Sequence, residues 1–434
     1  FGAPVTDREK ALMRVGALIE QPALYENLTA QDHLRMAARY YPGVDQARMD
    51  KVLEIVGLTP YRKERCGKFS LGMKQRMGLA LALLSEPELM ILDEPTNGLD
   101  IEATVEMREV ILRLAKEKGV TFLVASHLAA EIEKMCDKVL VLYEGEMLAF
   151  DTRRRPCGST LPWRTTSWRR SGTRRALWSC KEETMERFLA SLSNELFKLR
   201  KRKKYLVFLI IGAVICVASA LRVLIVNYIT DGGVSREAIL GGLMSSNLPF
   251  ILLIFLPLMA VMAASDLFVG QQVDHTLRFS LMRPVGKGKL FFSKAAAVFL
   301  LCAFDLAVLY VVSTVAQVGL GGCTEGILTS LGACLLDLIP LAVLVLFFCL
   351  INQLVRGSSL TVLLCVVLYI GLLVMGTYLP AVGGLVFTGY LRWHNLWIGI
   401  ALPFFSLLPR IGLLAGYGLV FGCCGYLLFD RKEA

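Results

Sequence analysis

The chain has 434 residues, is 55% hydrophobic and has a positive mean hydropathy, which is too apolar for an ordinary soluble protein of two or three domains. Its net charge of +10 has an address: residues 152–204 hold 16 Lys/Arg against 4 Asp/Glu, a local excess of 12, and the remainder is slightly acidic. A basic block abutting an apolar run points to a membrane surface and argues against nucleic acid as partner. Of the 12 cysteines none forms a CxxC pair, and Cys216, Cys302, Cys334, Cys349, Cys365, Cys423 and Cys424 lie in apolar runs, so no metal–thiolate site is expected.

The first 150 residues read as a soluble α/β domain. A capping-box pattern, Thr29-Ala-Gln-Asp32, opens an amphipathic helix that Pro42-Gly43 ends. A second helix runs from about Asp45 to Gly57, and a third begins after Gly72 and stops before Glu86-Pro87. Strand ELMILD (88–93) follows, then a helix through 101–118 closed by Gly119, strand VTFLVAS, and the hairpin KVLVLYEGEMLAF. Short strands alternating with helices predict a mostly parallel sheet with helices packed around it.

The chemistry lies at the strand ends. ELMILDEP delivers Asp93 and Glu94 to the C-terminal edge of an apolar strand. An Asp there can hold Mg²⁺ through water, and the adjacent Glu can orient or deprotonate an attacking water. Taken alone, the two carboxylates could equally be a capping pair. Ser70-Leu71-Gly72-Met73 opens a helix, where free N–H groups and the helix dipole favour an anionic phosphate. Asn97-Gly98-Leu99-Asp100 forms a tight turn, and VTFLVAS ends in Ser126-His127, where the His could cap a helix or reach a phosphate.

This ordered set resembles the ATP-binding subunit of an ABC transporter over residues 1 to about 151. Glu20-Gln21-Pro22 lies at the Q-loop, SLGMKQR at the signature sequence, ILDEP at Walker B, NGLD at the D-loop and SHL at the switch histidine. The wording IEQPALYENLTAQDHL and FSLGMKQR is similar to ATPases of the bacitracin-resistance and lantibiotic-immunity type. The resemblance implies an ATP- and Mg²⁺-using enzyme in which Asp93 supports the metal, Glu94 is the catalytic carboxylate and His127 meets the γ-phosphate. Glu20, Gln21, Ser70, Leu71, Gly72, Met73 and Asp100 would be its nucleotide-binding residues, with the signature presented to a nucleotide held by an opposite subunit. Three departures stand out. The loop glutamine aligns with Glu20, one step before Gln21; the signature carries Leu71 and Met73 where Gly and Gln are commoner; and no GxxxxGK[ST] phosphate loop occurs in the 434 residues. The last departure suggests that several tens of N-terminal residues were lost, Phe1-Gly2 resembling the turn that follows the phosphate-loop helix.

Residues 152–184 form a basic linker. Within it TRRRPCGSTLPWRTTSWRRSGTRRALWSCK (152–181) has eight arginines, three of the chain's five tryptophans and no acidic residue. It shows no helical or strand period and reads like an out-of-frame translation, with Met185 the start of a separate permease joined by a frameshift. A disordered linker or a single-stranded nucleic-acid stack are the alternatives.

Residues 185–204, MERFLASLSNELFKLRKRKK, form an amphipathic basic interfacial helix. Six all-α spans then occupy 205–434, near 205–226, 248–265, 292–317, 328–350, 359–379 and 407–429. Lys/Arg cluster before span one, between spans two and three, at Arg356 and after span six, which puts both termini in the cytoplasm of a multi-pass plasma-membrane protein. Trp393, Trp397 and Tyr378 fit an outer aromatic belt, and Arg410 a snorkelling position. Asp305 and Asp337 form a possible intramembrane polar site, either for substrate or for structural hydrogen bonds. The inner loop SDLFVGQQVDHTLRFSLMRPVGKGKLFFSK resembles the coupling segment of ABC-2 type permeases, with Gln271, Asp274, Arg278 and Arg283 as candidate contacts.

The fold expected is therefore a partial α/β P-loop-type ATPase domain followed by a six-span helical domain. The function implied is ATP-driven export of a peptide antibiotic, drug or lipid-like amphipath by a homodimer or a pair of half-transporters. A membrane protein with a degenerate, non-catalytic docking domain and a gene-fusion product are the competing readings.

Overall fold

The computed structural model describes residues 8–20, 22–144, 146–152, 182–229, 243–320, 324, 326–355, 357–378, 384–396 and 404–431. Two compact units divide the chain: Phe1–Arg187 with Met282–Pro284, and Phe188–Leu281 with Val285–Ala434.

In the first unit, helix α1 (Arg8–Arg14) leads into strand β1 (Val15–Ile19). Helix α2 (Ala30–Ala38) starts on the expected capping box: Thr29 accepts from the Asp32 backbone while Asp32 accepts from the Thr29 backbone. It ends at Ala38, short of Pro42-Gly43, which was expected to end it. Asp45 caps α3 (Gln46–Ile55), and Ser70 caps α4 (Leu71–Leu83), so Gly72 lies inside the first turn of α4 and not ahead of it. Strand β2 (Leu89–Asp93), helix α5 (Ile101–Lys118) and strand β3 (Thr121–Ala125) follow as the sequence pattern requires, Gly119 closing α5 in the left-handed conformation at φ 65°. A short α6 (Ala129–Met135) precedes an antiparallel hairpin of β4 (Lys138–Tyr143) and β5 (Glu146–Thr152). The parallel sheet has the order β1-β2-β3, with Ile19 beside Asp93 and Asp93 beside Ala125.

That register depends on a close approach of β1 to α4. A Cβ built on Gly16 would sit 2.5 Å from the Ala82 carbonyl oxygen and 2.5 Å from Met90 Sδ. Gly16→Ala should therefore destabilise this unit by about 1–3 kcal/mol through overpacking. A urea midpoint unchanged from wild type would contradict the close approach.

The second unit is helical. Among the described residues its amphipathic α7 (Glu182–Arg200) is followed by six helices long and apolar enough to cross a membrane: Lys203–Arg222, Leu243–Val273, Lys287–Gly319, Ile327–Leu354, Ser358–Gly376 and Leu407–Arg431. They coincide with the six expected spans and are called spans 1–6 below. Span 2 starts earlier than expected, with the helix Leu243–Phe250, contains a π-helical turn at Ile251–Phe255, and ends later because it runs on through a second one, Asp266–Gly270. Asp266, in the second turn, accepts from the Tyr205 hydroxyl and pairs with Arg202 at 2.8 Å and Lys204 at 2.6 Å.

One expectation is corrected here. Trp393 is 2% exposed and belongs to the helical core, packed against Tyr390, so it is not part of an outer aromatic belt. The segment carrying it folds into two 3₁₀ turns, Phe387–Tyr390 and Trp393–Leu396, and its aromatic rings find protein partners that a sequence-based interface assignment cannot foresee. Tyr378 is exposed. Trp397, Phe1-Gly2, Gln21, Arg356 and residues 153–181 lie outside the described residues.

Candidate functional site

Three parallel strands end side by side, and each delivers polar groups to the same edge. β1 is followed directly by Glu20, β2 ends at Asp93 with Glu94 next, and β3 is followed by Ser126 and His127. The backbone N–H of Glu20 donates to the Asp93 carbonyl at 3.1 Å, and that of Glu94 to the Ala125 carbonyl at 2.8 Å. Gln75, from α4, donates to the Glu20 carbonyl at 3.0 Å and fixes the first turn from beneath. Glu20 and Glu94 both hold positive φ, 49° and 48°, a conformation that costs free energy for a side chain of this kind and gathers at functional turns.

Glu94 is the most engaged side chain of the set. Its Oε1 accepts from His127 twice, from the backbone N–H at 2.9 Å and from Nδ1 at 2.7 Å. Among the described residues its Oε2 accepts only from the Ser126 hydroxyl, at 3.2 Å, and so keeps a lone pair to spare. Burial alone would raise the Glu94 carboxyl, but the His127 ring and backbone and the Ser126 hydroxyl together hold it below the usual carboxylate range. The carboxylate is thus ionised at neutral pH. Its low basicity suits it to orienting a water more than to removing the proton outright.

Asp93 differs. No hydrogen bond to its carboxylate occurs among the described residues, and no group of three metal-ligating side chains surrounds it. A single free carboxylate fits a hydrated Mg²⁺ that takes its other ligands from water and phosphate, as Mg²⁺ commonly does.

The signature and D-loop segments pack on one another. Ser70 Oγ accepts from the Met73 backbone at 3.2 Å, while Leu71 is exposed at the start of α4. A Cβ on Gly72 would meet the Ala103 Cβ at 3.0 Å, and one on Gly98 (φ 70°) would meet Leu71 Cδ2 at 3.0 Å. Gly72 therefore serves the close contact of α4 with α5 as well as the exposed helix terminus. Asp100 is occupied as the N-cap of α5, accepting from Ala103 at 2.7 Å.

The coupling candidates fall in different settings. Gln271 is 1% exposed and interior to the helical unit. Its amide donates to Glu195 Oε2 at 3.3 Å, and its Oε1 accepts from Lys294 Nζ at 2.5 Å. It braces α7 against spans 2 and 3 and offers no free surface. Asp274 is exposed, Arg278 lies in the short helix Leu277–Leu281, and Arg283 is in the tripeptide grouped with the first unit. Asp305 is buried in span 3 with Oδ2 unpartnered; Asp337 is buried in span 4 and bonded to His394. Glu195, Lys294 and His394 were not legible as site residues, since one charge in an apolar or amphipathic helix does not announce its partner.

Known proteins match both units. The ABC transporter family matches residues 2–97, and the family of ABC-2 transporter proteins matches residues 191–372. The chain carries an ABC transporter ATPase domain followed by an ABC-2 membrane domain. Over 142 residues it is 48% identical to the bacitracin transport ATP-binding protein BcrA of Bacillus licheniformis, covering 33% of this chain and 46% of that protein. It is 42% identical over 135 residues to BcrA of Enterococcus faecalis, covering 31% and 44%. It is 41% identical over 137 residues to the lantibiotic transport ATP-binding protein SrtF of Streptococcus pyogenes, covering 32% and 59%. A solved ATP-binding subunit of an ABC transporter aligns at 34% identity and a TM-score of 0.32, over 35% of this chain and 64% of its own. The chain thus spans about half the length of the curated relatives it matches.

Proposed function

We propose that the chain is an ATP-driven exporter of peptide antibiotics or related amphipaths, working as a homodimer or beside a second half-transporter. What carries this reading is the convergence of Glu20, Asp93, Glu94, Ser126 and His127 on one sheet edge, in a chain that also holds six apolar helices. The relatives named for bacitracin and lantibiotic transport support the cargo class. Both termini face the cytoplasm on the charge pattern of the loops.

In this reading Mg²⁺, when bound, neutralises charge on the phosphates, and the Asp93 carboxylate is the group free to hold its water. Glu94 orients the attacking water through Oε2, while His127 and Ser126 fix the carboxylate. The N–H groups of Leu71 and Gly72, at the start of the helix that Ser70 caps, face the phosphates of a nucleotide held by the opposing subunit.

The absence of GxxxxGK[ST] from the 434 residues favours one second reading, a docking module without turnover. Inside-out vesicles containing the protein as expressed from its own gene separate the two. ATP-dependent uptake of bacitracin that disappears in Glu94→Gln supports the exporter. Uptake indifferent to ATP and to that substitution would leave the docking module.

A further inference from the structure

Asp337 lies ten residues into the helix that begins at Ile327. At 1.5 Å per residue it is about 15 Å below that end of span 4, roughly halfway through a hydrocarbon layer. It is wholly buried, and its oxygens are satisfied from one turn, by His394 and by the backbone N–H of Trp393 beside it. Oδ1 accepts from the backbone N–H of His394 at 2.8 Å, and Oδ2 accepts from His394 Nδ1 at 2.6 Å. His394 sits in the 3₁₀ turn Trp393–Leu396, and its side chain is 17% exposed.

The rest of that segment is held by apolar packing and by the buried Thr388 hydroxyl, which donates to the Leu372 carbonyl of span 5 at 3.0 Å. Phe387 meets Phe347 of span 4 and Tyr417 and Phe421 of span 6, and Trp393 is in the core. Non-helical backbone at such depth is tolerated only when protein or a water-filled cavity surrounds it. We infer that Phe387–Leu396 is a re-entrant plug in the end of the helical unit where span 4 begins, and that the Asp337–His394 pair is its latch.

The latch has a thermodynamic consequence. Lifting the plug removes the His394 and Trp393 donors at once and strands a carboxylate in apolar surroundings, which is costly until another donor reaches it. The plug therefore resists opening until a replacement hydrogen-bond donor arrives at Asp337, and this end of the unit stays closed in between. The argument uses the helical unit alone and does not depend on ATP turnover.

Hydrogen exchange of the full chain in lipid nanodiscs tests it. Asp337→Leu replaces the carboxylate with an apolar side chain suited to the site, and His394→Phe keeps a ring without a donor. Each should speed exchange of amides in 387–396 by about tenfold to a hundredfold, with exchange in span 3 unchanged. His394→Asn puts an amide N–H near the position of Nδ1 and should restore slow exchange. Unaltered exchange in both Asp337→Leu and His394→Phe would show that packing alone holds the segment. His394→Asn exchanging as fast as His394→Phe would equally overturn the latch.

Discussion

Glu94→Gln should lower ATP turnover by about 10²–10⁴-fold while leaving nucleotide binding near wild type. The expected split follows from the geometry. Glutamine fills the same volume and its Oε1 can still accept from the His127 backbone and ring, as the carboxylate does at 2.9 and 2.7 Å. What is lost is the negative charge and the accepting Oε2, the oxygen left with only the 3.2 Å bond from Ser126. The nitrogen in its place donates and cannot orient water in the same sense. The measurement is steady-state phosphate release beside equilibrium binding of a nucleotide analogue, both on the membrane-reconstituted protein. If turnover and binding fall together, Glu94 is holding the fold of the sheet edge and not acting on water. If neither falls, the catalytic assignment is wrong.

Much of this edge was legible because parallel strands carry their chemistry at one end. The runs ELMILD and VTFLVAS each finish in the residues that meet, and the register places Asp93 beside Ala125. Thr29, Asp45 and Gly119 announced helix ends through chemistry that is local to the backbone. The six spans were legible because hydropathy is a property of a segment. Side-chain pairing was not. Gln271 had the composition of a surface contact, and only the fold shows Glu195 and Lys294 closing over it. Asp337 was marked as costly in an apolar helix, but its partner is 57 residues further on, in a 3₁₀ turn with no periodic signature. β1 is similarly silent: five residues, one of them a glycine whose reason is the Ala82 carbonyl packed over it.

His33 is a second residue whose meaning is set by packing, and it should make the first unit acid-sensitive. The ring is fully buried, Nδ1 donates to the Thr29 carbonyl at 2.8 Å, and Nε2 accepts from the Tyr25 backbone at 2.9 Å. One donor and one acceptor define the neutral imidazole, and a second proton on Nε2 would face an N–H. Burial is the main reason that its pKa is lowered to about 4, against the bond to Thr29, which raises it. Above about pH 6.5 the folded and unfolded states are both neutral and stability is fully present. As pH falls from there to about 4, the unfolded chain takes up a proton that the folded one refuses, and stability declines by a total of about 3 kcal/mol. Below that both states are protonated and the loss levels off. His33→Gln removes the titration, although the variant is weaker at pH 7. The gap in urea midpoint between wild type and variant, read by proteolysis of the first unit in the full chain, should therefore narrow between pH 6.5 and 4. A gap that stays constant across that range would mean that His33 takes up its proton in the fold as readily as in the unfolded chain, and that the Tyr25 N–H is not its partner.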